Sequence, residues 1–224
     1  MSTRKGGVSP FPFDSLNLGV HTPDTPENIQ HNLLGFTEKL DIPFDALARS
    51  YQCHGDQILV TDSPIYAENF DAIITNTLNV FPGVGIADCC PILLADPVHQ
   101  VAAAIHAGWK GTVKEIVRKT VEKMQEDFQS NPNDILAYIG PCISQEFFEV
   151  GDEVAEQFSA EVKVKIKDKF HVDLKKGNAI QLQNAGVKQI EISPLCTIKN
   201  NDLFFSFRKE NGNTGRMLAV IGFK

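Results

Sequence analysis

Two apolar runs separated by a short turn constrain this chain more than any other feature. Cys90-Pro91-Ile92-Leu93-Leu94-Ala95 and Val101-Ala102-Ala103-Ala104-Ile105 flank Asp96-Pro97-Val98-His99. Each run has strand length, and the residues between carry turn chemistry, so the pattern predicts an antiparallel hairpin. A turn symmetric about Pro97 and Val98 sets Cys89 opposite His106. Directly opposed side chains have Cβ atoms roughly 5 Å apart. After His106 the apolar period changes. Val113, Ile116, Val117, Thr120, Val121, Met124 and Phe128 recur at helical spacing. Thr112 and Glu115 have the spacing of a capping box. His106 is therefore expected at a strand end, with Ala107-Gly108-Trp109-Lys110-Gly111 as the loop into a helix.

The 224 residues suffice for one domain with a sizeable core. A net charge of -7 argues against a partner that is nucleic acid or an anionic membrane. No apolar run reaches the roughly 18 residues of a membrane-spanning helix. The basic start Met1-Ser2-Thr3-Arg4-Lys5 is followed by no apolar stretch, so no signal peptide is expected. Five cysteines in no dense framework fit reduced thiols in the cytoplasm.

Residues 1–12 are polar and punctuated by Pro and Gly, and are expected to be a flexible start to a single catalytic domain over 13–224. Residues 27–40 read as a helix with Ile29, Leu33, Phe36 and Leu40 on one face and Pro26 in its first turn. Ile58–Val60, Asp71–Thr75, Val84–Ala87 and Ile135–Ile139 read as strands. Helices are expected near 151–159 and over 174–185, the latter closed by Gly186. The lysine-dense stretch 161–169 reads as a solvated edge. Glu191–Ser193 follows. Leu203–Arg208 and Met217–Ile221 read as strands joined through Asn211-Gly212. The class predicted is α+β, one domain with mixed sheets.

His54, Cys89 and His106 together make a three-donor set. Three protein ligands with an open fourth position are the arrangement of catalytic zinc, and mixed thiolate and imidazole donors suit zinc better than magnesium or calcium. Zinc lowers the pKa of a bound water to ~7. Asp88 or another carboxylate would fix an imidazole tautomer from behind. His54 taken alone reads as a loop histidine in solvent, and Cys142 as a small core residue. Lys110, at a helix start, is either a solvated lysine or an anion contact. The same residues also permit metal-free chemistry, with Cys89 as nucleophile and His106 as its base.

Many ordered stretches resemble one family. They are Gln52-Cys53-His54-Gly55, Asp71-Ala72-Ile73-Ile74-Thr75, Ala87-Asp88-Cys89-Cys90-Pro91, His106-Ala107-Gly108-Trp109-Lys110-Gly111-Thr112, Ile139-Gly140-Pro141-Cys142, Phe148-Glu149-Val150-Gly151, and Phe204-Phe205-Ser206-Phe207-Arg208 with Thr214-Gly215-Arg216. Phe13 to Leu18 matches the N-terminal segment. The chain thus resembles the laccase-domain, or polyphenol oxidase-like, family of the peptidoglycan-editing factor and the zinc-dependent purine nucleoside phosphorylases.

The resemblance implies a four-layer α/β/β/α fold and a zinc site on His54, Cys89 and His106. It implies phosphorolysis of purine nucleosides such as adenosine and inosine, with phosphate as partner and adenosine deamination as companion activity. Lys110 and Arg208 are the candidate phosphate contacts. Zinc deaminases elsewhere carry His-x-Glu and Pro-Cys-x-x-Cys signatures, which this chain lacks. The alternatives are a hydrolase of cell-wall precursors, using Cys89 or zinc, and a metal-binding protein without catalysis. Three departures stand out. Asn32-Leu33 replaces the usual Asn-Arg, Lys110 replaces an arginine, and Lys199 replaces the second cysteine of a Cys-Thr-x-Cys pattern. The copper-laccase label of the family is not expected to apply. A multicopper site needs many imidazoles, and this chain has six histidines and no His-x-His pair.

Overall fold

The computed structural model describes residues 1–224. Helix α1 (Pro26–Lys39) is followed by β1 (Leu47–Tyr51), β2 (Ile58–Val60), β3 (Ile65–Glu68), β4 (Ala72–Thr75) and β5 (Phe81–Ile86). The hairpin of β6 (Cys90–Asp96) and β7 (Val101–Ala107) leads through α2 (Trp109–Val113) into α3 (Ile116–Phe128). Next come β8 (Leu136–Ile139), β9 (Glu149–Val150), α4 (Asp152–Ala155), β10 (Lys163–Ile166) and β11 (Lys169–Val172). α5 (Leu174–Asn184), β12 (Gln189–Ile192) and β13 (Met217–Val220) close the chain. No helix is long and apolar enough to cross a membrane.

The strands form three sheets: six strands in the order β12-β8-β6-β7-β4-β2, four in the order β13-β5-β1-β3, and a small one, β10-β11-β9. Side-chain alternation stacks them into layers. On β7, Val101, Ala103, Ile105 and Ala107 pack with Val117, Val121 and Met124 of α3 and with Leu182 of α5. On its other face Ala104 packs with Leu93 of β6 and with Val84 and Ala219 of the four-stranded sheet. The far side of that second sheet is covered by α1, where Leu33 and Phe36 meet Leu47, Phe81 and Leu218. The order is helix, sheet, sheet, helix, as the resemblance implies. Because β7 is covered on both faces, its sequence shows continuous rather than alternating apolarity.

The hairpin register departs from expectation. Pro91, not Cys89, lies opposite His106, and Asp96 pairs with Val101. The cause is the loop. Asp96 Oδ1 accepts the backbone N–H groups of Val98 and His99 at 2.9 and 3.2 Å, and Gln100 takes a positive φ of 56°. This makes a four-residue turn centred on Val98 and His99. A slip of two positions preserves parity, so Cys89 and His106 stay on the same face of the sheet.

Other expectations also give way. Residues 1–12 are tied down rather than loose. Ser2 N–H bonds Leu218 O, and Arg4 bonds Glu210 and the carbonyls of Asp14 and Asn201. Asn32 of α1 accepts Val8 N–H and donates to Ser9, Ser15 and Asn17. Leu203–Arg208 is no strand. Its aromatics Phe204 and Phe205 are buried against Ile86 and Met217, while its backbone bonds side chains: Ser206 N–H to Glu210 and Arg208 N–H to Asp88. β13 pairs with β5 instead. The capping box is absent. Thr112 Oγ1 donates to Gly108 O within α2, and Glu115 turns left-handed at φ 59° between α2 and α3. Helix α4 spans only Asp152–Ala155.

Ile105 is fully buried at the centre of the larger core. Ile105→Ala should cost about 2–5 kcal/mol. Leu34, 47 % exposed on α1, should tolerate Ala within about 0.5 kcal/mol. Denaturant midpoints of the two variants check the contrast.

Candidate metal centre

Two loops and one strand end deliver the donors. His54 lies between β1 and β2, Cys89 immediately before β6, and His106 one residue from the end of β7. Their ligand atoms all lie within 4.8 Å of one another. The rings of His54 and His106 meet edge to face, with centroids 4.8 Å apart. The donor set expected from sequence is therefore assembled.

The carboxylate behind it is Asp71. In register, Asp71 extends β4 to lie opposite His106, since Ala72 pairs with Ile105. Its Oδ1 stands 2.7 Å from His106 Nδ1 and accepts His54 N–H at 3.0 Å. Its Oδ2 accepts Gly55 N–H at 2.7 Å, Cys53 N–H at 3.2 Å and the Cys53 thiol at 3.2 Å. One carboxylate thus orients the His106 ring, leaving Nε2 for a metal, and also shapes the loop that carries His54. That loop is strained, with His54 at φ 60°. A bulky residue rarely takes this conformation unless its surroundings enforce it, as the Asp71 contacts do here.

Asp88, expected as a catalytic residue, touches neither imidazole. Its carboxylate accepts the hydroxyls of Thr197 and Ser206 and the Arg208 N–H. It clamps the 197–208 segment to the Cys89 turn, itself held at φ 83° at Asp88.

Electrostatics follow from burial and proximity. For Asp71, burial works against ionisation, but the hydrogen bond and charge of His106 and the Gly55 N–H outweigh it, and the pKa falls to about 2. For Cys89, burial again opposes charge, and the charge of His106 with hydrogen bonds from His106 and His54 bring the thiol down to about 6. His106 rises to about 10 against its own burial, through Cys89 and Asp71. The metal-free site therefore favours a thiolate beside an imidazolium.

The residues fit a metal. A soft thiolate and two imidazoles converge from one side, and a space is kept for them. A Cβ at Gly108 would stand 3.1 Å from Cys89 Sγ and 3.1 Å from His54 Cδ2. Any side chain there would press on two of the three donors.

The donors face a cleft of about 510 Å³. His54, Cys89, His106 and Arg208 line it, as do two arginines that sequence reasoning passed over, Arg49 and Arg216. Arg216 senses the charges of Cys89 and Asp88 and donates to the carbonyls of Thr214 and Gly215. It lies in the Thr214-Gly215-Arg216 match, which was the available signal. Arg49, on a strand, carried none. Lys110 is exposed, with its ammonium 5.6 Å from the Trp109 ring centroid, and does not line the cleft. Arg208 donates to Glu149 O at 3.2 and 3.1 Å. Leu33 lies in the apolar cluster under α1 and does not line the cleft either.

Comparison with known proteins identifies the family. The model of the family described as multi-copper polyphenol oxidoreductase laccase matches residues 1–224. A protein of Deinococcus radiodurans named purine nucleoside phosphorylase is 40% identical over 225 residues, covering 99% of this chain and 87% of its own length. The purine nucleoside phosphorylase YfiH of Escherichia coli is 37% identical over 228 residues, covering 98% and 91%. The crystal structure of YlmD from Geobacillus stearothermophilus superposes with a TM-score of 0.95 at 31% identity, covering 99% of this chain and 90% of that one. With its whole length matched and its fold shared, the chain belongs to this laccase-like family.

Proposed function

We propose that the chain is a zinc-dependent purine nucleoside phosphorylase acting on adenosine and inosine in the cytoplasm. One observation carries the proposal: the three metal donors share a single cleft with Arg208 and Arg216. Relatives named purine nucleoside phosphorylase at 40% and 37% identity support it. The five cysteines are free thiols, as a reducing compartment keeps them.

In phosphorolysis a phosphate oxygen bonds to ribose C1′ while the C1′–N9 bond breaks, and the base leaves with the electron pair and gains a proton. His54, Cys89 and His106 would hold zinc, which supplies Lewis acidity at the cleft when bound. Arg216 and Arg208 are our candidates to hold the phosphate, because a guanidinium fork matches its oxygens. Phe148, Phe207 and Trp109 line the same cleft and give it an apolar wall. Asp71 is assigned as the positioning residue of His106, and Asp88 as that of the Cys89 turn.

Adenosine deamination is proposed as the companion activity that the family resemblance implies. The sole carboxylate lining the cleft is Asp88, and three donors engage it, so this chemistry lacks a free carboxylate for proton transfer. Phosphorolysis is accordingly the favoured reaction. The same His2Cys set also serves blue copper elsewhere, so metal analysis of the purified protein decides the metal.

Incubation with adenosine should release adenine only when phosphate is present. Inosine as product would report deamination. Product formed by metal-stripped protein would overturn the zinc mechanism in favour of the Cys89 nucleophile. Cys89→Ala should abolish turnover and leave the circular dichroism spectrum unchanged, whereas Cys142→Ala, in the core behind the site, should retain turnover. Asp71→Asn should weaken metal binding about 10–100-fold, read by competition with a chromogenic chelator.

A further inference from the structure

Phosphorolysis as proposed leaves one cleft cation unused. Arg49 on β1 lies opposite Tyr66 on β3, with its guanidinium carbon 5.5 Å from the phenol ring centroid. It is half-buried, burial pulls its pKa down, and its one titratable partner is Tyr66, whose phenol burial holds above its ordinary pKa and so keeps neutral. It donates no hydrogen bond within the chain and meets no carboxylate. A guanidinium partly removed from water with no acceptor is costly unless a ligand supplies one.

Its surroundings say which kind. His21 Nε2 and Tyr66 OH are 2.7 Å apart, which locks both rings. His21 also meets Tyr51 edge to face, with centroids 4.6 Å apart. Tyr51 and Tyr66 are 44% and 43% exposed, and all four residues line the cleft. Half-exposed aromatic walls suit a flat heterocycle, which an isolated anion is not. A donor-only fork suits two adjacent acceptors on its edge. A 6-oxopurine presents O6 and N7 there, and arginine matches that pair. A 6-aminopurine presents N7 and a donor amine, which faces another donor.

We propose that Arg49, framed by His21, Tyr51 and Tyr66, is the base subsite of the cleft and selects 6-oxopurine over 6-aminopurine nucleosides. This rests on the nucleoside reading above. It also orders the two proposed activities, since deamination of adenosine yields the nucleoside that the subsite prefers.

Calorimetric binding of inosine and adenosine tests it on the full-length protein, without phosphate to prevent phosphorolysis and with chromatography of the recovered adenosine to correct for any deaminated to inosine. The unmodified protein should bind inosine about tenfold or more tighter than adenosine. Arg49→Gln should abolish or invert that ratio, because an amide offers the donor and acceptor that adenine N7 and N6 require. Arg49→Lys keeps the charge with a poorer fork and should retain a reduced preference for inosine, and it guards against misfolding of the glutamine variant. An unchanged ratio in both variants, with both nucleosides binding, overturns the subsite and spares the nucleoside reading. Loss of inorganic phosphate binding in Arg49→Gln with the ratio intact makes Arg49 an anion contact and likewise overturns it. Failure of the unmodified protein to bind either nucleoside removes the nucleoside reading, and the subsite with it.

Discussion

The Asp71 carboxylate is the contact on which the site's geometry depends. It is fully buried, and it accepts from four groups of the Cys53–Gly55 loop besides facing His106. A buried carboxylate with so many donors is held ionised, and its cost of desolvation is returned by fixed N–H and imidazole partners. Two of the three candidate metal donors take their position from it. The third, Cys89, is placed by a different carboxylate, Asp88, acting through the 197–208 segment. The centre is thus built from two anchors in separate parts of the chain.

The layering explains why these anchors meet. On β4 and β7 one parity of side chains packs under α3 and α5, and the other faces the four-stranded sheet. Asp71 and His106 carry the second parity, at strand ends where the sheets no longer press together. Polar side chains there are neither in the core nor free in water. A helix supplies none of the three donors, and the five-residue α2 serves mainly to turn the chain away after Gly108.

Much of this was legible in the residues. The periodicity of Val101–Phe128 marks strand then helix, and the mixed donors His54, Cys89 and His106 stand out by chemistry. What was not legible depended on distant partners. Asp71 reads as the polar first residue of a strand, and nothing local points to an imidazole 35 residues on. The hairpin register hinged on Asp96 capping its own turn, which hydrophobicity does not report. Leu203–Arg208 has strand composition, yet its backbone donors are taken by Asp88 and Glu210. Residues 1–12 have the composition of a loose end, but Arg4 finds Glu210 206 positions away. Lys110 was drawn toward the site by its neighbours in sequence, while Arg49 and Arg216 reach the cleft from the opposite sheet.

The cleft has its walls in different layers. Arg49, Tyr66, Gly85 and Leu218 belong to the four-stranded sheet, while His106 belongs to the six-stranded one. The seam between them is filled by small and medium side chains such as Ala104, Val84, Leu93 and Ala219. A slight shear along that seam would leave each sheet's own ladder intact and still change the span between arginines and metal donors. Alignment between the two slabs therefore sets how far the arginines stand from the three candidate metal donors.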